Sequence, residues 1–91
     1  MNTEKHTSVW DVLEEDPIKR ENLKLRSALM IAITDKIEFE GLKQVVAAKR
    51  LAITQPRVSQ LMQGKIEEFR LDTLVNFAHR LDLHITLEVA A

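Results

Sequence analysis

Between Asp16 and Leu81, aliphatic residues recur every three or four positions, and very few helix breakers cut this spacing into runs. Such a period describes amphipathic α-helices, and the breaks mark their ends. Asp16-Pro17 is a helix start: an Asx cap followed by proline at the first helical position, where no amide donor is needed. From there Leu25, Leu29, Ala32, Ile33 and Ile37 predict one long helix to about Glu38, with Gly41 ending it or turning the chain just beyond it. Leu42, Val45, Val46, Leu51 and Ile53 continue the helical spacing around the small pair Ala47-Ala48. Thr54 is a good N-cap and Pro56 sits near the start of the next helix, which carries Val58, Leu61 and Met62 on one side and stops at Gly64. Leu71, Leu74, Val75, Ala78 and Leu81 predict a further helix. The period then changes. Over residues 83–89 apolar and polar side chains alternate, which predicts a half-buried strand. A single strand needs a partner, and in so small a helical protein the expected partner is another chain.

The 91 residues make one small domain. One Trp, three Phe and no Tyr leave its core mostly aliphatic. The absence of cysteine excludes disulfides and zinc–thiolate sites and fits a reducing, cytoplasmic setting. The longest apolar run, residues 28–33, is far too short to cross a membrane, and the polar opening Met-Asn-Thr-Glu-Lys-His predicts no export signal. Net charge is −1, but the charges are segregated. Residues 1–22 hold six acids against three bases, and residues 66–91 hold five against two. Residues 43–65 hold Lys43, Lys49, Arg50, Arg57 and Lys65 with no acid at all. A near-neutral chain whose central stretch is this basic is expected to carry a basic, ligand-binding face.

Two short helices joined by a tight turn over residues 43–63 form a helix-turn-helix candidate, in which the second helix lies in the DNA major groove and the first packs across its back. Close approach needs a small residue inside the first helix, here Ala48. The turn needs a compact residue, Ala52, then a buried one, Ile53. Val58 and Leu61 would anchor the second helix inward. Gln55, Arg57, Ser59, Gln60 and Gln63 are polar and long enough to reach base edges.

The run Gly41-Leu42-Lys43-Gln44, then Ala47-Ala48, Leu51-Ala52-Ile53-Thr54-Gln55-Pro56-Arg57-Val58-Ser59 and Leu61-Met62-Gln63-Gly64-Lys65 resembles the lambda-repressor and Cro type of helix-turn-helix, the XRE family. Phe69-Arg70-Leu71-Asp72-Thr73-Leu74 resembles the start of that family's following helix. Within the family, Thr-Gln-Pro-Arg-Val-Ser with Gly-Lys-Ile and Leu-Asp-Thr-Leu resembles the HigA-like antitoxins, whose partners are RelE-fold ribonuclease toxins. The resemblance implies that Gln44 grips a phosphate and braces the second helix. It also implies that Gln55 reads a base, with adenine the natural match for its amide. Arg57 would be bidentate to guanine or bind phosphate, with Ser59 and Gln60 one turn further on. Lys43, Arg50 and Lys65 would serve the DNA backbone; for Lys49 solvated surface stands equally. Pro56 replaces a base-reading polar residue and leaves only apolar contact, and Arg70 replaces a serine cap. Thr54, Gln63 and the residues just named make up the expected DNA surface.

The expected fold is therefore all-α, a lambda-repressor-like bundle of about five helices with a C-terminal β-strand. It divides into an acidic, Trp-containing segment (1–16), the DNA-binding domain (17–82) and the strand (83–91). Leu83, Ile85, Leu87 and Val89 would pair across a homodimer axis or extend a toxin's sheet. Val9, Trp10, Val12 and Leu13 would either fold back over the core or dock into a RelE/HigB-like toxin, tryptophan being favoured at binding hot spots. His6, His79 and His84 lack metal spacing, and the clusters Glu14-Glu15-Asp16 and Glu67-Glu68 have no nucleophile or base beside them. There is no Gly-rich phosphate loop, Ser–His pairing or catalytic cysteine, so no enzyme, cofactor or metal is expected. The expected partner is double-stranded DNA carrying a palindromic operator, with autoregulation of an antitoxin's own operon as the function. A stand-alone phage-type regulator shares every DNA residue named. A protein-interaction module with a degenerate helix-turn-helix is the alternative from another class.

Overall fold

A computed structural model describes residues 15–91. Helix α1 spans Pro17–Phe39, and its N-cap works as its sequence dictates, with the Asp16 carboxylate accepting from the Ile18 amide at 2.9 Å. At its far end Gly41 adopts φ +63°, and the Leu42 amide reaches back to the Ile37 carbonyl at 3.0 Å. Helix α2 (Gln44–Leu51) ends at Ala52, which takes the left-handed conformation at φ 60°. That costs a non-glycine residue some strain, and alanine's single methyl keeps the strain small. The Ile53 amide then closes onto the Ala48 carbonyl at 3.0 Å and turns the chain into α3 (Gln55–Met62). Thr54 caps α3 through its hydroxyl, which accepts from the Arg57 amide at 3.3 Å. Gly64 turns the chain at φ +76°, a three-residue 3₁₀ turn follows at Ile66–Glu68, and α4 runs Leu71–Arg80. Arg70 stands at the α4 N-cap without a side-chain cap bond, and Asp72 covers the Thr73 amide instead at 2.9 Å.

The core lies where α1, α4 and the α2–α3 pair meet. Leu23, Met30, Ile33 and Ile37 of α1 bury against Leu51, Val58, Leu61, Phe69, Leu74, Phe77 and Leu81. Phe69 and Phe77 meet edge to face, with ring centroids 6.0 Å apart. The described residues bury no charged or polar side chain.

Three expectations need correction. Four α-helices and one 3₁₀ turn stand where about five helices were expected, because the link from Gln63 to Phe69 closes only a single tight turn. Residues 83–91 form no strand: alternation describes two faces, but a strand exists only through ladder bonds, and no described segment runs beside this one. Leu83 half-buries against the core, while Ile85, Leu87 and Val89 stand exposed. The inward stripe of α1 is also shifted. Leu23 and Met30 are buried, whereas Leu25 is 46 % exposed. Leu25, Ala28, Leu29 and Ala32 instead form one wall of an apolar groove of about 410 Å³, opposite Val75 of α4 and residues 83–87.

Candidate nucleic-acid interface

Helices α2 and α3 pack closely because α2 offers only small side chains at their contact: Ala47 is fully buried and Ala48 nearly so. Val45 and Val46, expected to follow the buried face, are instead about two-fifths exposed, at 42 % and 41 %. Val58 and Leu61 pin α3 inward and are wholly buried. At helical spacing, Pro56, Ser59, Gln60 and Gln63 then fall on the opposite arc, with Gln55 and Arg57 on its flanks. Gln55, Pro56 and Gln63 are exposed and Ser59 and Gln60 half-exposed. The arc is polar and uncharged. Gln63 donates from its amide nitrogen to the Ser59 hydroxyl oxygen at 3.0 Å, which orders the two as a pair.

The five basic residues of the 43–65 stretch divide into two groups. Lys43, Lys49 and Lys65 are exposed and make no hydrogen bond or ion pair among the described residues. The two arginines are tied into the fold. Arg50 donates to the Glu40 carboxylate at 3.0 Å, and to the Arg80 carbonyl and the Asp82 carboxylate at 3.4 Å each, joining α2 to the ends of α1 and α4. Arg57 stacks 4.1 Å above the Phe69 ring centroid and donates to the Glu68 carbonyl at 2.6 Å and the Gln60 side-chain oxygen at 2.9 Å. Gln44 opens α2 fully exposed and makes no side-chain hydrogen bond to α3 among the described residues.

Sequence reasoning missed Arg26, which donates to the carbonyls of Ile66 and Phe69 at 3.3 Å each and holds the 3₁₀ turn against α1. Its only local signal is Asn22 one turn earlier, whose carbonyl oxygen accepts from Arg26 Nε at 2.7 Å. Glu40 was missed as well. Lys36, at 2.8 Å, and Arg50, at 3.0 Å, stabilise its carboxylate and hold its pKa below the ordinary 4.5. A carboxyl that binds its proton less tightly when folded stabilises the fold above pH 4.5, and that contribution is lost as the pH falls through the depressed folded value. Glu40→Gln is therefore expected to flatten the acid limb of stability, a small effect at so exposed a site. Denaturant titrations at pH 7 and below pH 4.5 read it: a fall for the variant as steep as for the wild type would remove Glu40 from that role.

Val9, Trp10, Val12 and Leu13 lie outside the described residues, as does His6. His79 and His84 are exposed, and no metal-competent group of three His, Cys, Asp or Glu occurs among the described residues. No described helix is long and apolar enough to cross a membrane.

Two short helices set closely across a left-handed turn, the second presenting a polar arc to solvent, define a helix-turn-helix DNA-binding domain. A family described as a helix-turn-helix domain matches residues 12–90, and the chain belongs to it. No curated protein matches the sequence closely enough to stand beside that assignment.

Proposed function

We propose that the protein is a sequence-specific transcriptional repressor of the XRE type, acting in the cytoplasm as a homodimer on a palindromic operator. The observation that carries this reading is the contrast on one surface: an uncharged polar arc along α3, and Lys43, Lys49 and Lys65 with no partner among the described residues. Neutral amides and hydroxyls suit base edges, and uncommitted ammonium groups suit phosphates. Lys43, Gln44 and Lys65 are the backbone contacts in this reading. Gln55, Ser59, Gln60 and Gln63 face the groove, and Pro56 gives apolar contact. Thr54 serves as the cap that sets the start of α3. Arg50 and Arg57 act through the fold.

Dimerisation is assigned to the face around the apolar groove, where Ile85, Leu87 and Val89 are 50 %, 81 % and 82 % exposed and Leu83 joins them to the core. A two-fold pairing there would set two copies of α3 in successive major grooves, about 34 Å apart. The finer role, a HigA-like antitoxin that neutralises a RelE/HigB-like toxin and represses its own operon, rests on the sequence resemblance around Thr54–Ser59 and Leu71–Leu74.

Footprinting on the DNA upstream of the gene, with affinities taken over a range of salt, tests the reading. The expected result is a two-fold-symmetric footprint and an affinity that falls steeply with salt. Lys43→Ala and Lys65→Ala should each lower the salt slope by about 1. No binding above the nonspecific level at low salt would overturn it in favour of a partner-binding module.

A further inference from the structure

Arg57 occupies the flank of α3, next to the outward arc rather than on it. A guanidinium only donates hydrogen bonds, so the Gln60 atom it meets at 2.9 Å is the carbonyl oxygen, and the orientation of the Gln60 amide is fixed by chemistry. The Gln60 NH₂ is left pointing away from Arg57. The arginine is itself anchored. Phe69 lies beneath it, fully buried and braced by Phe77, and the Glu68 carbonyl accepts from its other nitrogen at 2.6 Å. Arg26 holds the same backbone from behind through the Phe69 carbonyl. A chain of contacts therefore runs from α1 through the 3₁₀ turn to one side chain on the α3 arc.

We propose that Arg57 is a positioning residue that presents Gln60 as a hydrogen-bond donor, so that the protein selects a keto base, guanine or thymine, over an amino base, adenine or cytosine, at the base pair facing Gln60. A glutamine free to rotate pairs its oxygen and nitrogen with adenine's N6 and N7. Here the oxygen is held by a cation, and the NH₂ faces the groove. Guanine O6 and N7 and thymine O4 accept from it, whereas the amino groups of adenine and cytosine oppose it, donor against donor. The inference rests on the DNA-binding reading and names the specificity of that same surface.

The test begins with selection of the wild-type protein on a randomised duplex library, followed by affinities for every single-base variant of the best duplex. One base pair should prefer a keto base by roughly ten-fold. Gln60→Ala should abolish that preference. Arg57→Met, which keeps an apolar group over the Phe69 ring, should weaken the preference at the same pair, with no further loss in the double variant. Gln60→Glu keeps an acceptor for Arg57 but turns the free end into a second acceptor, and should reverse the preference towards cytosine or adenine. Because it leaves the Arg57 anchor intact, this variant reads the proposal even if Arg57→Met unfolds, which a thermal melt reveals. An unchanged keto preference in Gln60→Glu would overturn the proposal. So would losses from Arg57→Met and Gln60→Ala that fall at different base pairs and add, since Arg57 would then read its own base. A uniform loss for Arg57→Met with a salt slope lower by about 1 would make Arg57 a phosphate contact and overturn it too. Wild-type protein that selects no sequence overturns the repressor reading itself, and this inference with it.

Discussion

Phe69→Ala is expected to lower stability by about 3–5 kcal/mol, the range for deleting a buried phenyl ring. A domain of this size is held by only about 5–15 kcal/mol, so the variant should stand near the edge of folding. The ring is wholly buried, meets Phe77 edge to face, and carries Arg57 on its other side. Its removal opens a cavity under the 3₁₀ turn and takes away the platform that orients the guanidinium. Phe69→Leu separates the two effects. It keeps much of the volume and should cost less than the alanine variant, yet it leaves Arg57 without an aromatic face. Urea titrations followed by circular dichroism read both variants. A loss below about 1 kcal/mol for Phe69→Ala would mean that the site collapses around the missing ring, contrary to the tight packing seen here.

The helix boundaries could be read from the sequence because caps and breakers act within one turn of themselves. Asp16-Pro17, Thr54, Gly41 and Gly64 each do locally what their chemistry requires. The phase of α1 could not. That helix carries two apolar stripes, one through Leu23, Met30 and Ile37 and one through Leu25 and Leu29, and the stripe that faces the core depends on helices far along the chain. The basic stretch shows the same limit more sharply. Its charge segregation is real, but Arg50 finds Glu40, Arg80 and Asp82, and Arg57 finds Glu68 and Phe69, partners that no local pattern announces. Charge counted along the chain therefore overstated the charge on offer to a ligand. At the C-terminus the alternation correctly marked apolar positions; it did not mark a strand, because pairing is a property of two segments and the pattern belongs to one.

Ser59→Asp is expected to reduce DNA affinity by two orders of magnitude or more while leaving the fold intact. Ser59 lies one turn into the outward arc of α3, half-exposed, and its side chain serves only as an acceptor for the Gln63 amide at 3.0 Å. An aspartate carboxylate can accept that same bond, and the helix-propensity difference between the two residues is a few tenths of a kcal/mol. The charge is another matter. If α3 enters the major groove, the carboxylate is brought among phosphates and the accepting edges of bases, and like-charge juxtaposition at a closed interface costs several kcal/mol. Ser59→Asn, neutral and of the same size as the aspartate, should retain most of the affinity. The pair of variants thus isolates charge from shape. A gel-shift titration at fixed salt measures the difference, with thermal melts confirming that both variants are folded. If Ser59→Asp binds duplex as well as Ser59→Asn does, then α3 does not lie in the groove, and the lysines on this face must serve a different partner.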